Sequence, residues 1–141
     1  MPEELRDEDY RRLLQFRVDL RRFLHWSEEM AEKAGVTPAQ HQLLLAIRGH
    51  GGQNGAGAEG PTIGDVAAYL LLRHHSAVGL VDRAVKAGLI ERREDPVDRR
   101  MVRLSLSPLG SQTLARLSEL HFEEIKRLAP RIQAISQGLE T

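Results

Sequence analysis

The fold is decided by residues 61–107, which read PTIGDVAAYLLLRHHSAVGLVDRAVKAGLIERREDPVDRRMVRLSLS and predict two short helices followed by a hairpin. Thr62 can cap the first helix, because its hydroxyl can accept from a free amide at the helix start and Asp65 follows three positions later. Apolar side chains then recur at helical spacing as far as Leu71. After a turn at 71–73 a second helix begins, and Gly88 supplies the left-handed residue that ends it.

The hairpin is indicated by alternation of apolar and polar residues. Leu89 and Ile90 open its first strand, and the return strand, VRLSL at 102–106, alternates strictly. Between the strands, DPVDRR at 95–100 has the composition of a turn and carries two adjacent arginines. Two helices followed by such a hairpin are the outline of a winged helix-turn-helix.

Four short blocks lie in order along this part of the chain: LVDR at 80–83, GLIER at 88–92, DRR at 98–100 and LSLSPLG at 104–110. Together, at this spacing, they resemble the successive signature blocks of the MarR family of bacterial transcriptional regulators. The resemblance implies one domain over residues 1–141, mainly α with a small antiparallel β-hairpin wing. In it a winged helix-turn-helix, about 37–106, is flanked by N- and C-terminal dimerisation helices.

The first flanking helix is predicted over about residues 5–34, where apolar residues form two stripes. One stripe would suffice for a surface helix, so the second indicates a partner subunit, although a helix buried within one subunit would look similar. The second flanking helix is predicted over about 108–138, after a cap formed by Ser107 and Pro108, with an interruption at Pro130. Thr37 is predicted to start the intervening helix that supports the DNA-reading pair.

Residues 49–60 contain half of the chain's 12 glycines and almost no apolar side chain. This composition predicts a flexible loop. A glycine-rich loop can also cradle phosphate, but the segment has neither the lysine nor the hydroxyl of a P-loop and follows no buried strand. We therefore favour an insertion over a nucleotide site, with no function assigned to it.

The bulk composition narrows the class of protein. A chain of 141 residues with no long uncharged apolar run has no predicted membrane span, and its acidic start lacks the pattern of an export signal, so we expect a cytoplasmic protein. The absence of cysteine excludes a disulfide framework and a thiol switch. Neither a nucleophile motif nor a cofactor fingerprint is present, so we predict that the protein is not an enzyme and has no cofactor.

The charges cancel, with 20 basic and 20 acidic side chains, which weighs slightly against nucleic-acid binding. From Arg73 to Arg103, however, the chain has eight basic residues and only five acidic ones. This modest excess predicts strongly salt-dependent DNA binding through a limited footprint.

The second helix of the pair is the predicted recognition helix, because residues at the N-terminal end of a helix in the major groove reach base edges. The predicted DNA-binding residues there are Arg73, His74, His75, Ser76, Gly79 and Arg83. Two of them depart from the family pattern, which often has a serine or threonine in place of Arg73 and a larger polar residue in place of Gly79. Base contacts are therefore not carried over at these two positions, and a surface role without DNA contact stays open for the paired histidines.

The wing carries the spacing Asp98-x-Arg100, in which a carboxylate can hold a guanidinium in a fixed direction by bidentate pairing. By resemblance, Arg100 would enter the minor groove, Asp98 would position it, and Arg99 and Arg103 would lie near phosphates. The alternative is a solvated hairpin face, which the ordered neighbouring blocks make less attractive.

The predicted function is sequence-specific binding of double-stranded DNA by a homodimer on a pseudo-palindromic operator, since two recognition helices can dock one DNA turn apart. A repressor is favoured, because occupancy alone blocks a promoter. The alternative is a winged-helix protein-interaction module that has lost DNA binding.

The resemblance also implies a small phenolic or anionic effector, bound where the dimerisation and DNA-binding regions meet. The candidate ligand-binding residues are His25, Trp26, Met30 and His41. Each also has a simpler explanation as a core or solvated side chain. A metal site is not predicted, because the histidines at 25, 41, 50 and 121 are scattered along the sequence.

Overall fold

The computed structural model of the chain describes residues 4–51 and 59–137. Within these ranges the elements are α1 (Asp7–Lys33), α2 (Pro38–Gly49), α3 (Ile63–Leu70), α4 (His74–Lys86), β1 (Ile90–Glu94), β2 (Val102–Leu106) and α5 (Pro108–Gln137). The predicted fold class, mainly helical with one small antiparallel hairpin, is confirmed. Gly49 is the last residue of α2, and most of the predicted flexible loop, residues 52–58, lies outside the described residues.

Capping residues fix the starts of α2 and α3, as their sequences predict. Thr37 Oγ1 accepts from the Gln40 amide at 3.1 Å, and the Gln40 side chain accepts from the Thr37 amide at 3.0 Å. Thr62 and Asp65 form the same reciprocal pair, at 3.1 Å and 2.9 Å. These bonds satisfy amides that have no partner inside the helix, so the first turn forms where the cap stands. Gly88, with φ of 75°, follows the end of α4.

The two strands pair antiparallel, with Ile90 opposite Leu106 and Arg92 opposite Leu104. Ile90 and Leu104 are buried on the inner face, and Leu89 is buried just before β1. The inner face of the hairpin therefore packs against the core.

The hydrophobic core lies in the winged helix-turn-helix and the first half of α5, with Ala31 and Val36 contributed from the end of α1 and the turn after it. Its largest fully buried side chains are Leu43, Leu44, Val66, Val81, Leu104 and Leu117. Burial of such side chains contributes about 1.5–3 kcal/mol each to folding. The helices and strands between residues 38 and 106 are thus held by the main core of the chain.

The packed α1 and α5 helices leave large apolar side chains uncovered in the single chain. Tyr10 and Leu13 of α1 are each 57% exposed, and Phe122 of α5 is 65% exposed. The stripe of Phe16, Phe23 and Met30 is only partly buried. A single subunit therefore does not bury both apolar stripes of α1.

Helix α5 continues past Pro130, so the predicted interruption there is wrong. Proline removes one helical hydrogen bond and usually bends a helix. Here contacts on both sides hold the helix in place: Leu128 is buried, and Arg131 Nη2 lies 3.2 Å from Asp19 Oδ1 of α1. None of the helices in the described ranges is long and apolar enough to span a membrane.

The end of α4 and the start of α5 are joined through Ser107. The Ser107 hydroxyl donates to the Gly88 carbonyl at 2.5 Å and accepts from the Gly110 amide at 3.0 Å, and the Ser107 amide donates to the Leu89 carbonyl at 3.0 Å. Gly110 packs so closely on Leu89 that a Cβ at position 110 would clash with the Leu89 carbonyl. The GLIER and LSLSPLG blocks therefore meet in space, and the glycine of the second block is needed for the close approach.

Candidate nucleic-acid interface

The start of α4 is presented by a tight turn at the end of α3. Leu71 adopts a left-handed conformation with φ of 55°, and its side chain is 92% exposed. Arg73 is the N-cap residue of α4, and its side chain makes no capping hydrogen bond. The first amides of α4 therefore have no side-chain cap, and a helix start in that state attracts anionic groups such as phosphates.

Helix α4 has one buried face and one face turned outward. Its buried residues are Ala77, Leu80, Val81 and Ala84. His74, His75 and Ser76 are exposed at the opposite face, as the sequence pattern predicts. Gly79 lies on the same outward face, and the guanidinium of the exposed Arg83 lies over it, with Nη1 at 3.2 Å from the place of a Cβ.

The wing tip holds Asp98 and Arg100 in the expected pairing. Arg100 Nε lies 3.2 Å from Asp98 Oδ1 and Arg100 Nη2 lies 3.5 Å from Oδ2, while the Arg100 amide also donates to Oδ1 at 3.0 Å. The Arg100 side chain is 91% exposed, so the pairing restricts its direction without hiding its charge. Arg99 beside it is exposed as well.

The tip is organised by Asp95, a buried residue that the sequence analysis did not single out. Asp95 Oδ1 accepts from the amides of Val97 at 2.8 Å and Asp98 at 2.9 Å, and Oδ2 accepts from Arg103 Nε at 2.8 Å. The bond from the Asp98 amide, followed by the one from Arg103, lowers the pKa of Asp95 to about 2. The signal in the sequence was an aspartate directly before Pro96, which favours a side-chain-stabilised turn.

Arg103, for which a phosphate contact is predicted, directs part of its guanidinium into the chain. Besides its bond to Asp95, its Nη1 donates to the Gly60 carbonyl at 3.2 Å, and its side chain is only 17% exposed. The hydrogen bond to Asp95 raises the pKa of Arg103, so the pair stays charged. Arg103 therefore braces the base of the wing through two of its donors, and its predicted phosphate contact stays a prediction.

Two further arginines of the hairpin also contact other parts of the chain. Arg92 forms an ion pair with Asp82 of α4, and Arg93 Nη2 donates to the Glu59 carbonyl at 2.7 Å. The hairpin is therefore fastened to α4 on one side and to the segment before α3 on the other. The cationic groups of this region that still point outward lie at α4 and at the wing tip. They offer DNA a smaller surface than the eight basic residues counted in the sequence suggest.

Two of the candidate ligand residues, Trp26 and His41, meet at a third residue, His121. Each ring centroid lies 4.8 Å from that of His121, which the sequence analysis had considered only among the scattered histidines. The His121 Nδ1 donates to the Leu117 carbonyl at 2.7 Å, so its Nε2 accepts from the Ser27 hydroxyl at 2.6 Å. This arrangement fixes the orientation of His121.

His41 is buried, and its Nδ1 has no hydrogen-bond partner among the residues that the structure describes. Burial, followed by the nearby His121, lowers the pKa of His41, so its neutral form is favoured. A pocket of about 270 Å³ lies beside these two histidines, between α1, α2 and α5. Its lining is mostly apolar and includes Ser27, Phe122 and Ile125.

The four candidate ligand residues do not converge on one site. His41 lines the pocket and Trp26 contacts His121, but Met30 packs against the core. His25 is exposed on α1 and pairs with Glu29 at 2.9 Å, one helical turn away. In the described part of the chain, no group of three or more histidine or acidic side chains is placed to hold a metal ion.

The sequence was compared with protein families and with known proteins. The sequence model of the MarR family matches residues 34–101, which contain the whole of α2, α3, α4 and β1. The YusO protein of Bacillus subtilis has a similar fold, with a TM-score of 0.65, 22% identity, and coverage of 91% of this chain and 89% of that one. Over residues 34–101 the chain is similar to the MarR family.

Three further proteins resemble the chain in sequence or in fold. MepR of Staphylococcus aureus, solved in complex with DNA, superposes with a TM-score of 0.67 at 20% identity, covering 91% of this chain and 85% of that one. The repressor MdtR of Bacillus subtilis is 29% identical over 97 residues, which are 69% of this chain and 52% of MdtR. The regulator YsmB of the same organism is 40% identical over 53 residues, 38% of this chain and 36% of YsmB. The chain thus matches between about a third and a half of the length of these two curated relatives.

Proposed function

We propose that this chain is a MarR-family transcriptional regulator that binds double-stranded DNA as a homodimer. In each subunit α4 enters the major groove and the wing tip enters the neighbouring minor groove. The observation that carries the proposal is the wing tip itself, where Asp98 directs a 91% exposed Arg100 outward. Arginine held in a fixed direction suits the narrow, strongly negative minor groove.

The anchoring of the wing supports the same function. Asp95 and Arg103 fix the base of the tip, and the Asp82–Arg92 pair fixes the hairpin to α4. The two DNA-contacting elements are therefore parts of one rigid unit rather than independent segments. MepR, which shares this fold, has been solved in complex with DNA.

A homodimer supplies the second half-site and covers the apolar side chains that α1 and α5 leave exposed. Such side chains are rarely left in contiguous groups on a monomer surface. Two recognition helices related by a two-fold axis read a pseudo-palindromic operator with half-sites about one DNA turn apart. Repression follows from occupancy of a promoter, and MdtR carries the name of a repressor.

A small phenolic compound is the effector that the pocket between α1, α2 and α5 suits best. The lining is mostly apolar and contains no lysine or arginine, so an anion would find no counter-charge there. The unpaired Nδ1 of the buried His41 offers a hydrogen-bond site to a hydroxyl group. Binding there would shift the dimerisation helices relative to the DNA-reading unit.

The DNA proposal is tested with Arg100→Ala, measured by fluorescence anisotropy on the promoter fragment beside the protein's own gene. Loss of one groove contact in each half-site should weaken binding at least roughly tenfold and reduce the salt dependence. Arg116→Ala, which removes an exposed arginine of α5, is the charge-matched control and should bind as the wild type. An Arg100→Ala affinity within twofold of wild type at physiological salt would refute the role of the wing.

The effector proposal is tested by thermal shift with phenol and with benzoate as probes. Phenol should stabilise the wild type more than benzoate does, and His41→Gln should abolish the difference. His25→Gln is the control, because His25 is exposed and faces Glu29 rather than the pocket. Equal phenol shifts in all three proteins would refute the role of His41 in binding the hydroxyl group.

The second candidate is a winged-helix protein-interaction module without DNA binding. It is favoured by the neutral net charge and by the internal use of Arg92, Arg93 and Arg103. A mobility-shift assay separates the two candidates. Salt-sensitive binding to the promoter fragment but not to random DNA supports the regulator, whereas a dimeric protein that binds no DNA at several salt concentrations supports the module.

A further inference from the structure

Gly79 is an unusual residue for the interior of a helix that reads DNA, because glycine costs about 1 kcal/mol relative to alanine there. The structure shows what occupies the space that a side chain at this position would take. A Cβ on residue 79 would lie 3.2 Å from Nη1 of Arg83 and 3.9 Å from its Cζ and Nη2. The guanidinium of Arg83 thus lies across Gly79, in contact with the helix surface.

This placement follows from helix geometry. Side chains on a helix lean toward its N-terminus, and residues four apart lie on one face, so Arg83 reaches back over position 79. The same face carries His75 and Ser76 one turn earlier, and both are exposed. The guanidinium of Arg83 therefore lies about one helical turn closer to the N-terminal end of α4 than the Cα atom of Arg83 does.

The charge of Arg83 is also left without a neutralising partner. Its neighbour Asp82 is engaged by Arg92 of β1, and the described residues contain no ion pair of Arg83 itself. The side chain of Arg83 is exposed. An unpaired guanidinium on the outward face of α4 has the geometry for the commonest specific base contact, bidentate donation to O6 and N7 of guanine.

We propose that Arg83 is the specificity-determining residue of α4, that it reads a guanine in each half-site, and that Gly79 determines its position. The inference rests on the proposed DNA-binding function. Position 79 then contributes the absence of a side chain, and the guanidinium of Arg83 occupies that space in the groove.

The test is selection of binding sites by the full-length protein from duplexes with about 20 randomised base pairs, two helical turns, followed by affinities for all single-base variants of the selected site. Arg83→Lys keeps the charge but loses the planar donor pair, so it should reduce discrimination roughly tenfold at one G·C pair per half-site and leave the affinity for random DNA unchanged. Gly79→Gln should reduce discrimination at the same base pair by displacing the guanidinium. Arg116→Lys is the control and should reproduce the wild-type profile.

Gly79→Ala distinguishes loss of base preference from loss of folding. The alanine should raise the melting temperature, because it favours the helix, while it weakens the preference at the same base pair. An unchanged base preference in both Arg83→Lys and Gly79→Gln, with wild-type protein selecting a site, would overturn this inference alone. Failure of the wild type to select any DNA sequence would overturn the proposed function and this inference together.

Discussion

Replacing Gly110 by alanine should destabilise the whole chain, because the added methyl group has no room. A Cβ at position 110 would lie 3.0 Å from the carbonyl carbon of Leu89, with the carbonyl oxygen nearer still, and 3.4 Å from Cδ2 of Leu44. Normal contact requires about 3.5 Å or more, so the start of α5 has to retreat by roughly 1 Å. That retreat stretches the two hydrogen bonds of Ser107 to Leu89 and Gly110, both 3.0 Å long.

The expected loss combines overpacking, about 1–3 kcal/mol, with about 1 kcal/mol for each weakened bond, and comes to about 3 kcal/mol. For a domain of this size that lowers the melting temperature by roughly 10 °C. The assay is thermal unfolding followed by circular dichroism at one fixed protein concentration, since association with a second subunit would shift the midpoint.

Gly64→Ala is the matched control for this prediction. Gly64 lies in α3, where a Cβ would meet only the Thr62 hydroxyl at 3.6 Å, so alanine should leave stability unchanged or raise it by up to about 1 kcal/mol. If Gly110→Ala melts within about 2 °C of wild type, or if Gly64→Ala is destabilised equally, the packing argument is wrong.

Three further perturbations have definite expected results. Leu71→Gly should raise stability by about 1 kcal/mol in urea unfolding, because it relieves a left-handed leucine whose side chain is 92% exposed; an unchanged or lower midpoint would contradict this. Stability should fall as the pH drops below about 6.5, because unfolding releases His41 from a site that lowers its pKa and the unfolded chain then takes up the proton. The variant His41→Gln should show a flatter profile between pH 7 and pH 5, and parallel curves would rule out His41 as the source. Asp95→Asn should speed amide hydrogen exchange at the wing tip and weaken DNA binding while helix content stays constant, because it removes the charge that holds Arg103; unchanged exchange would show that the tip is held by other contacts.

The elements of this fold were predictable from sequence because local interactions determine most of them. Thr37 and Thr62 fix helix starts through bonds to residues three positions away, and Gly88 marks a helix end by its own backbone freedom. The pairing of Asp98 with Arg100 spans only two residues, so its spacing was already visible in the sequence.

The features that escaped prediction depend on contacts between distant parts of the chain. Arg103 is held by Gly60, 43 positions away, and His121 by Ser27, 94 positions away, and neither contact leaves a pattern in the sequence. The same holds for Pro130, since tertiary contacts on either side of it carry α5 past the expected break.

The Ser107 junction has a mechanical consequence for the regulator. The Ser107 hydroxyl bonds both to Gly88, just after α4, and to Gly110 in the first turn of α5, so the two helices are connected at this point. A tilt of α5 would therefore reach the end of α4 directly, without passing through the hairpin. In the proposed regulator, this junction would connect motion of the helices that pair the two subunits to the angle at which α4 enters DNA.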